Sequence, residues 1–232
     1  RAMAPGAART ILFIEKPEQA AEVARQIENK TSPEQVALLT GTMRGYERDR
    51  LRTDGAFRKF EERDLPDRPY YLVATSAGEV GVNISGERMV TLIRESDRLL
   101  QRLGRLNRFG TQAGEAHIFH IAAKEGKDNP AEKKTLEYLR GLPRTSDGAI
   151  DVSCRSIREN PPPKESRSKL PRMALLDERL IALWSQTTAT SKDMPPVEHW
   201  IHGKQEDLPE IELALRDEVE MLALEGVSPT EL

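Results

Sequence analysis

The chain has 232 residues, of which 38% are hydrophobic and 31% charged, and its formal net charge is −3 at pH 7. This length allows one sizeable core, or a core and a smaller module, because domains usually have about 100 to 200 residues. No apolar run approaches the roughly 20 residues that span a bilayer, and no signal-peptide block is visible, so we expect a cytoplasmic protein without membrane partners. The single Cys154 excludes an intramolecular disulfide and a zinc finger.

Five short apolar runs predict β-strands, and the segments between them predict helices. The strand segments are 10–14, 36–39, 70–75, 89–93 and 116–122. The helical segments are 15–29, 46–62 and 96–108, followed by 129–142 after the last strand. Nearly continuous apolar strands that alternate with amphipathic helices predict an α/β fold, a parallel sheet with helices on both faces.

The composition changes after Ala122. Residues 158–171, "RENPPPKESRSKLP", are rich in proline and charge and predict a linker or a surface excursion. Residues 173–187 are amphipathic, whereas 209–222 fit a strand or a helix. We therefore expect a sheet domain at 9–125, a helix and linker at 126–171, and a smaller, mostly helical accessory segment at 172–232.

The segment "SDRLLQRLGRLNR" concentrates arginines on one predicted helix. On a helical wheel its leucines lie opposite a stripe formed by Arg94, Arg98, Gln101, Arg105 and Arg108. Most charged stripes are solvated surfaces, but the planar fork of arginine suits bidentate contact with phosphate. Gly104 beside the stripe suggests that another backbone or a ligand comes close. We expect the stripe to face a ligand at the carboxyl edge of the sheet, where α/β domains bind ligands.

The spacing Gln-Arg-x-Gly-Arg-x-x-Arg in "QRLGRLNR" resembles motif VI of superfamily 2 helicases. The resemblance implies that Arg105 and Arg108 are catalytic arginine fingers on the γ-phosphate of ATP, and that Gln101 lines the same nucleotide interface. Such a finger neutralises charge on the transferred phosphoryl group and contributes roughly 10³ to 10⁵ in rate.

The segment "VATSAGEVGVNIS", residues 73–85, resembles motif V of the same helicases and precedes motif VI with one strand between them. A tight structural turn is the alternative interpretation of its glycines and hydroxyls. The resemblance implies that Thr75 and Ser76 contact the nucleic-acid backbone and that Gly81 and Asn83 approach the nucleotide. Asn83 departs from the family pattern, in which Asp is usual; Asn accepts a hydrogen bond but carries no charge.

A third segment of this kind, "LLTGTMRG", follows the second predicted strand. Thr40, Gly41, Thr42 and Arg44 offer hydroxyls, a glycine and a cation, which suit a sugar-phosphate backbone. A capped loop explains the same residues. In the family the equivalent loop touches single-stranded nucleic acid, and we therefore expect these residues to bind DNA.

The three segments together resemble the second RecA-like lobe of the CRISPR-associated type I helicase-nuclease. "LIALWSQT" and "VEHWIHGK" resemble segments of its type I-G (formerly I-U) variant. The resemblance implies the second motor lobe of an ATP-dependent single-stranded DNA translocase in CRISPR antiviral defence. It also implies ATP and Mg²⁺ held mainly by another, N-terminal RecA-like lobe, an HD nuclease domain, and an RNA-guided surveillance complex as partner.

Several motifs of a complete motor are absent from the sequence. It contains no Gly-x-x-x-x-Gly-Lys-Ser/Thr loop, no Asp-Glu-x-His box and no His-Asp pair, so we expect this chain alone to bind no ATP or Mg²⁺ and to be inactive. Its start at "RAMAPGAA", without an initiator methionine, suggests a fragment. The pairs His117/His120 and His199/His202 are weak chelates, and we expect no metal site. Two alternatives are a non-catalytic nucleic-acid or partner-binding module, and the lobe of another superfamily 2 DNA or RNA helicase.

Overall fold

A computed structural model describes residues 6–43, 45–53, 55–110, 113–121, 129–169, 176–186, 197 and 200. The chain divides into two compact units, Arg1–Ser168 and Lys169–Leu232. The strands of the first unit are β1 (Arg9–Phe13), β2 (Val36–Leu39), β3 (Tyr70–Ala74), β4 (Arg88–Leu92) and β5 (Glu115–Phe119). Its helices are α1 (Pro17–Glu28), α2 (Gly45–Thr53), α3 (Gly55–Glu61), α4 (Ser96–Leu103), α5 (Pro130–Gly141) and α6 (Cys154–Glu159).

The five strands form one parallel sheet in the order β2-β3-β1-β4-β5. The α/β prediction of a parallel sheet is confirmed, and each of the first four strands begins and ends within one residue of its predicted bounds. The carboxyl ends of β2 and β3, which are neighbours, therefore lie side by side at one edge of the sheet. This adjacency brings together the two loops that leave these strands.

Alternate residues of the strands pack on opposite faces of the sheet, and helices cover both faces as predicted. Ile11, Leu72 and Met89 belong to one buried cluster with side chains of α3, α4 and α5. The other cluster joins Val36 and Val73 to buried alanines of α1. The period-2 alternation of a pleated strand explains why successive residues reach different clusters.

The helix α4 is shorter than the sequence predicts, because it ends at Leu103 and not at Arg108. Gly104 caps the helix, and the atoms nearest to a methyl group at Gly104 would be carbonyl oxygens of the helix itself. The expectation that another backbone approaches Gly104 is therefore wrong for the described residues. Beyond the cap, the Gly86 amide donates to the Arg105 carbonyl at 3.0 Å, and the Asn107 amide donates to the Gly86 carbonyl at 2.8 Å.

These two hydrogen bonds fix the direction of α4. Gly86 lies two residues before β4, whereas α4 begins four residues after β4 ends. The helix therefore starts at the carboxyl end of the strand and returns to its amino end. Asn107 completes the turn with φ of 45°, a left-handed conformation that Asn adopts more readily than most residues.

A short segment, Pro163–Ser168, packs against the first turn of α4 and is called the strap below. Ser166 is fully buried; its hydroxyl donates to Ser96 Oγ at 2.8 Å, and its carbonyl accepts from the Thr135 hydroxyl at 3.2 Å. The amide of Ser168 donates to Asp97 Oδ1 at 2.8 Å. The strap lies within the proline-rich stretch expected to be a linker or surface excursion, yet it belongs to the first unit.

A buried ion pair joins the start of β1 to the residue before β4. Arg9 and Glu87 are almost completely buried, and Arg9 Nη2 lies 2.5 Å from Glu87 Oε1. Arg9 Nη1 also donates to the Lys59 and Glu62 carbonyls at the end of α3, and its backbone amide donates to Glu87 Oε2. These bonds satisfy charges that would otherwise be buried at high cost.

The second unit contains one helix among its described residues, α7 (Glu178–Trp184), which Asp177 caps through Oδ1 and the Leu180 amide. The rings of Trp184 and Trp200 make an edge-to-face contact with centroids 5.2 Å apart. Segment 209–222 lies outside the described residues. None of the helices in the described part of the chain has the length and apolar character that a bilayer-spanning segment requires.

The buried pair Arg9–Glu87 gives a prediction about stability. Replacing either residue alone, as Arg9→Met or Glu87→Gln, leaves a buried polar partner unpaired and should lower the free energy of unfolding by about 3 to 5 kcal/mol. The double variant Arg9→Met/Glu87→Leu removes both charges and should recover part of this loss. Urea unfolding of the three variants measures the effect, and single variants as stable as the parent chain would contradict it.

The contact between Asp97 and the strap predicts a pH dependence. Burial raises the pKa of Asp97, but hydrogen bonds from the Ser168 amide and hydroxyl and from local amides outweigh it, so the pKa lies below its ordinary value. A lowered pKa stabilises the fold above the unfolded-state pKa of about 4 and loses this effect as pH falls through the folded-state pKa. Asp97→Asn should therefore lower stability by about 1 kcal/mol at pH 7.

The measurement is urea unfolding of the parent chain and Asp97→Asn between pH 8 and pH 3. The difference between the two should be constant above about pH 5 and should shrink below about pH 4. A difference that grows as the pH falls would contradict the strap contact.

Candidate functional site

The loops after β2 and β3 meet at the carboxyl edge of the sheet. The Gly41 amide donates to Thr75 Oγ1 at 3.3 Å, and the Thr75 amide donates to the Leu39 carbonyl at 3.0 Å. The hydroxyls of Thr40 and Thr42 are 3.1 Å apart. Five of the six predicted DNA-binding residues, Thr40, Gly41, Thr42, Thr75 and Ser76, thus belong to two adjoining loops; Arg44 lies outside the described residues.

The members of this group differ in exposure. Thr40 and Thr75 are buried, and the Thr75 hydroxyl already accepts from Gly41. Gly41, Thr42 and Ser76 are exposed. A ligand at this edge would therefore meet Thr42, Ser76 and the backbone first, while Thr40 and Thr75 hold the two loops in place.

An open cleft of about 910 Å³ lies on the α1 side of this group. Thr40 and Thr42 line it, but so do Glu18, Glu28 and Glu47. Arg50 also lines the cleft, but three carboxylates against one guanidinium leave it negative, so the cleft itself is a poor position for a nucleic-acid backbone. The side that carries Ser76 is the better one.

The chain between β3 and β4, residues 75–87, runs from the carboxyl edge back to the amino ends of the strands. It starts as a 3-10 turn at Ser76–Gly78, and the Glu79 amide donates to the Ser76 carbonyl at 2.9 Å. Gly81 has φ of +82°, a conformation that strongly favours glycine. A methyl group on Gly86 would lie 2.9 Å from the Arg9 carbonyl oxygen, so this position also requires glycine.

Glu79 holds two arginines of α4 at once. Its side chain is buried, and Oε1 accepts from Arg102 Nε at 2.9 Å and Nη2 at 2.7 Å. The guanidinium of Arg98, which is partly exposed, donates to both carboxylate oxygens at 3.2 and 3.3 Å. Arg102 also donates to Thr91 Oγ1 at 2.7 Å and stacks over the Phe13 ring. Burial lowers the pKa of Arg102, and the Glu79 carboxylate opposes that effect.

Arg105 lies close to the same acid but contacts only its backbone. Arg105 Nη2 donates to the Glu79 carbonyl at 2.7 Å. Arg105 Nε is buried and has no hydrogen-bond partner among the described residues. Burial, and secondarily the nearby charge of Arg108, lowers the pKa of Arg105. A buried guanidinium with an unused donor and no carboxylate in contact is suited to an anion.

Arg108 is exposed and bonds to neutral oxygens. Its Nε donates to Asn83 Oδ1 at 3.0 Å, and Nη1 donates to the Gly104 carbonyl at 3.4 Å. The structure therefore brings together Asn83 and Arg108, two residues predicted from separate motifs. Gln101 is exposed seven residues earlier, on α4.

The sequence predicts one outward-facing stripe of arginines along α4, and the structure does not contain it. Arg94 pairs with Glu15 and with Glu132, and Arg98 pairs with Glu79. Because the helix ends at Leu103, Arg105 leaves the stripe and becomes buried. The expected location is corrected for the backbone: Arg105 lies beside Gly86 at the amino end of β4, not at the carboxyl edge. Its guanidinium reaches back to the Glu79 carbonyl, three residues after Ser76.

Sequence reasoning missed Glu79 and Arg102. Both left a signal: Arg102 follows Leu99 by three residues, on the apolar side of the helix, and Glu79 stands between Gly78 and Val80 in a small, apolar segment. An arginine on a buried helix face requires an acid, because an unpaired charge is rarely buried. An arginine on the apolar face of the helix and an acid in an apolar segment together predict the contact between Arg102 and Glu79.

No group of three or more His, Cys, Asp or Glu side chains in the described ranges is arranged to hold a metal ion. His117 and His120 are exposed, and His117 lies 3.3 Å from Glu115. The pair His199/His202 lies outside the described residues.

The chain resembles known proteins in sequence over part of its length and in fold. Residues 7–111 match the family described as CRISPR-associated nuclease/helicase Cas3, C-terminal. No curated protein matches the chain. The match includes all three segments of the candidate site and both buried acids, Glu79 and Glu87.

Solved structures with a similar fold come from the same class of protein. The crystal structure of T. fusca Cas3 with ADP has a TM-score of 0.51 at 13% identity, covering 67% of this chain and 20% of that chain. T. fusca Cas3 with ATP has a TM-score of 0.50 at 14% identity, covering 70% and 20%. A structure described as a CRISPR-associated protein has a TM-score of 0.51 at 19% identity, covering 78% and 21%.

The chain thus spans about a fifth of the length of the solved structures it matches. At these identities the likeness shows the fold, which is the predicted α/β, RecA-like one. Residues 7–111 thus resemble the C-terminal part of Cas3-type nuclease/helicases in sequence, and the fold of the described residues resembles that of Cas3 structures.

Proposed function

We propose that this chain is the second motor lobe of an ATP-dependent single-stranded DNA translocase in CRISPR type I interference. Its partners in the proposal are single-stranded DNA, an N-terminal RecA-like lobe of the same protein, an HD nuclease domain and an RNA-guided surveillance complex. The type I-G variant is the branch that "LIALWSQT" and "VEHWIHGK" favour. The family match supports the helicase lobe.

The observation that carries the proposal is how charge is distributed among the arginines of segment 94–108. Arg94, Arg98 and Arg102 each have a carboxylate partner. Arg105 and Arg108 bond only to neutral oxygens among the described residues, so their charges are available to a ligand. These two positions are also the ones that the helicase motif assigns to arginine fingers.

The residues present fit a nucleotide phosphate contributed from outside the chain. Mg²⁺-ATP, held mainly by the first lobe, supplies the phosphoryl group that is transferred to water. Arg108, exposed and oriented by Asn83, can extend to a phosphate on a facing lobe. Arg105 keeps its charge free of a carboxylate, but its Nε is buried, so in the proposal its guanidinium must move outward to reach that phosphate. A guanidinium that is fixed before the reaction stabilises developing negative charge without reorganisation cost at that moment.

The DNA-binding half of the proposal rests on the carboxyl edge. Thr42, Ser76 and the exposed backbone near Gly41 offer neutral donors, which bind phosphate oxygens without reading the bases. Thr40 and Thr75 act from beneath by fixing the two loops to each other. Binding of this kind follows the strand whatever its sequence, as a translocase requires.

Replacement of the unneutralised arginines tests the catalytic half. In the full-length protein, Arg105→Gln and Arg108→Ala should each lower DNA-stimulated ATP turnover by about 10³-fold, because each removes a positive charge from the transferred phosphoryl group. Arg155→Ala removes an exposed arginine of α6 that pairs with Glu159 and should leave turnover unchanged. Turnover is measured by phosphate release at saturating ATP and single-stranded DNA, with melting temperatures as the check on folding.

Near-normal turnover of Arg108→Ala would overturn the finger assignment. The chain of residues 1–232 alone should release no phosphate, and steady hydrolysis by it would contradict the division of the site between two lobes.

A change at Ser76 tests the DNA-binding half. Ser76→Ala in the full-length protein should weaken binding of a fluorescent single-stranded oligonucleotide roughly tenfold, the loss expected for one hydrogen bond to a charged group. Since no charge is removed, the dependence of affinity on salt should keep its slope. Thr31→Ala is a matched control, because Thr31 is an exposed hydroxyl that follows α1, at the opposite end of the sheet.

Fluorescence anisotropy at several salt concentrations gives both quantities. Equal weakening by Ser76→Ala and Thr31→Ala, or no weakening by either, would contradict the assignment of the carboxyl edge to DNA.

A further inference from the structure

Glu79 lies on the segment of chain that joins the two halves of the candidate site, the DNA-binding loops at the carboxyl edge and the pair Asn83–Arg108 with Arg105. Ser76, at the carboxyl edge, precedes it by three residues, and Asn83, which bonds Arg108, follows it by four. Glu79 is 6% exposed, so it is placed to act on both halves from within the protein and not as a ligand contact.

A short chain of hydrogen bonds passes through this residue. The Ser76 carbonyl accepts from the Glu79 amide at 2.9 Å, and the Glu79 carbonyl accepts from Arg105 Nη2 at 2.7 Å. The exposed turn that would touch DNA therefore bonds to the amide of Glu79, and the arginine that would touch phosphate bonds to the carbonyl of the same residue. A shift of the turn moves the acceptor of Arg105 directly.

The carboxylate of Glu79 makes this connection stiff. It binds Arg102, whose third guanidinium nitrogen, Nη1, donates to Thr91 in β4, and it binds Arg98 from the preceding turn of α4. Charge-assisted hydrogen bonds are stronger than neutral ones, and a satisfied side-chain network makes the groups that it joins rigid. The turn at 76–78, the acid and α4 therefore form one body around which Arg105 is oriented.

A purely structural role is the competing explanation, and Glu87 shows what such a role looks like. Glu87 is 4% exposed and pairs with Arg9, and its side chain contacts neither Arg105 nor Arg108 among the described bonds. The two acids thus have similar burial, similar partners and positions on the same segment. They differ in that Glu79 touches residues of both halves of the site.

We propose that Glu79 is a positioning residue that couples DNA contact at the Ser76 turn to the placement of Arg105. The inference rests on the proposed function and goes beyond it, because it assigns the transmission of the DNA signal to one buried acid. Displacement of the turn by DNA shifts Glu79, and Glu79 shifts the Arg105 guanidinium toward the position it occupies during phosphoryl transfer.

The experiment compares Glu79→Gln with Glu87→Gln in the full-length protein. The quantity measured is the ratio of ATP turnover with saturating single-stranded DNA to turnover without DNA. Glu79→Gln should lower this ratio roughly tenfold or more, in the range typical of coupling between sites. Glu87→Gln should lower the melting temperature comparably but keep the ratio within about twofold, since coupling and stability are separate quantities.

Two further readouts separate positioning from general damage. The KM for ATP and the Kd for DNA of Glu79→Gln should stay within about threefold of the parent values, because Glu79 contacts neither ligand in the proposal. The double variant Glu79→Gln/Arg105→Gln should turn over ATP as Arg105→Gln does, because a residue that acts through Arg105 has no effect once Arg105 is gone. Glu79→Asp, which keeps the charge, should restore part of the ratio and serves if Glu79→Gln fails to fold.

The outcomes distinguish this inference from the function on which it rests. A parent protein without DNA-stimulated turnover overturns both. A parent that is stimulated by DNA, loses turnover with Arg105→Gln and keeps its ratio with Glu79→Gln or Glu79→Asp overturns only the role of Glu79. Equal loss of the ratio in Glu79→Gln and Glu87→Gln, or additive losses in the double variant, also overturns it.

Discussion

The burial of a carboxylate against two guanidinium groups constrains the rest of this lobe. A charge moved from water into the protein interior is tolerated only when partners surround it, and Glu79 meets this condition with Arg98 and Arg102. The same requirement is met by Glu87 and Arg9 a few residues later. Both acids lie on the stretch between β3 and β4, so two buried ion pairs fasten this stretch near its beginning and at its end.

This fastening explains how residues from two edges of the sheet can belong to one site. Segment 75–87 leaves the carboxyl end of β3, and its last residues reach the amino end of β4, where Gly86 bonds to Arg105 and Asn107. The helix α4 also runs from the carboxyl ends of the strands toward their amino ends. Two elements that run side by side and are joined by buried charges connect the edges more rigidly than a free loop would.

The sequence predicts the sheet better than it predicts the site. Strands such as β2 and β3 are short apolar runs bounded by polar residues, and a run of this kind has few alternatives in an α/β chain. The wheel for α4 failed because it continued a helix beyond Gly104, and helix ends depend on contacts that periodicity does not contain. In this case the contact is Gly86, a distant residue whose pairing with Arg105 ends the helical path.

The strap is a second case in which the sequence does not contain the contact that determines the structure. Its prolines and charges predict an excursion from the fold, since such residues rarely form a core. Yet two small polar residues attach it: Ser166 has partners on α4 and α5, and Ser168 donates to Asp97 on α4. Composition indicates that the strap has no regular structure of its own; it does not indicate where the strap binds.

The charge of Arg108 determines what an amide, rather than a carboxylate, does at position 83. An aspartate, which is usual at this position in helicases of this type, would give Arg108 a carboxylate partner and would neutralise it in the absence of a ligand. Asn83 keeps the hydrogen bond to Arg108 Nε at 3.0 Å and the orientation that goes with it, but it leaves the positive charge uncompensated. Under the proposed function, Asn83 therefore preserves the geometry and increases the electrostatic attraction of Arg108 for an incoming phosphate. Because Arg108 is exposed, water screens part of that attraction until a second surface covers it. In the proposed function, Arg108 would therefore contribute most when the other lobe closes over it.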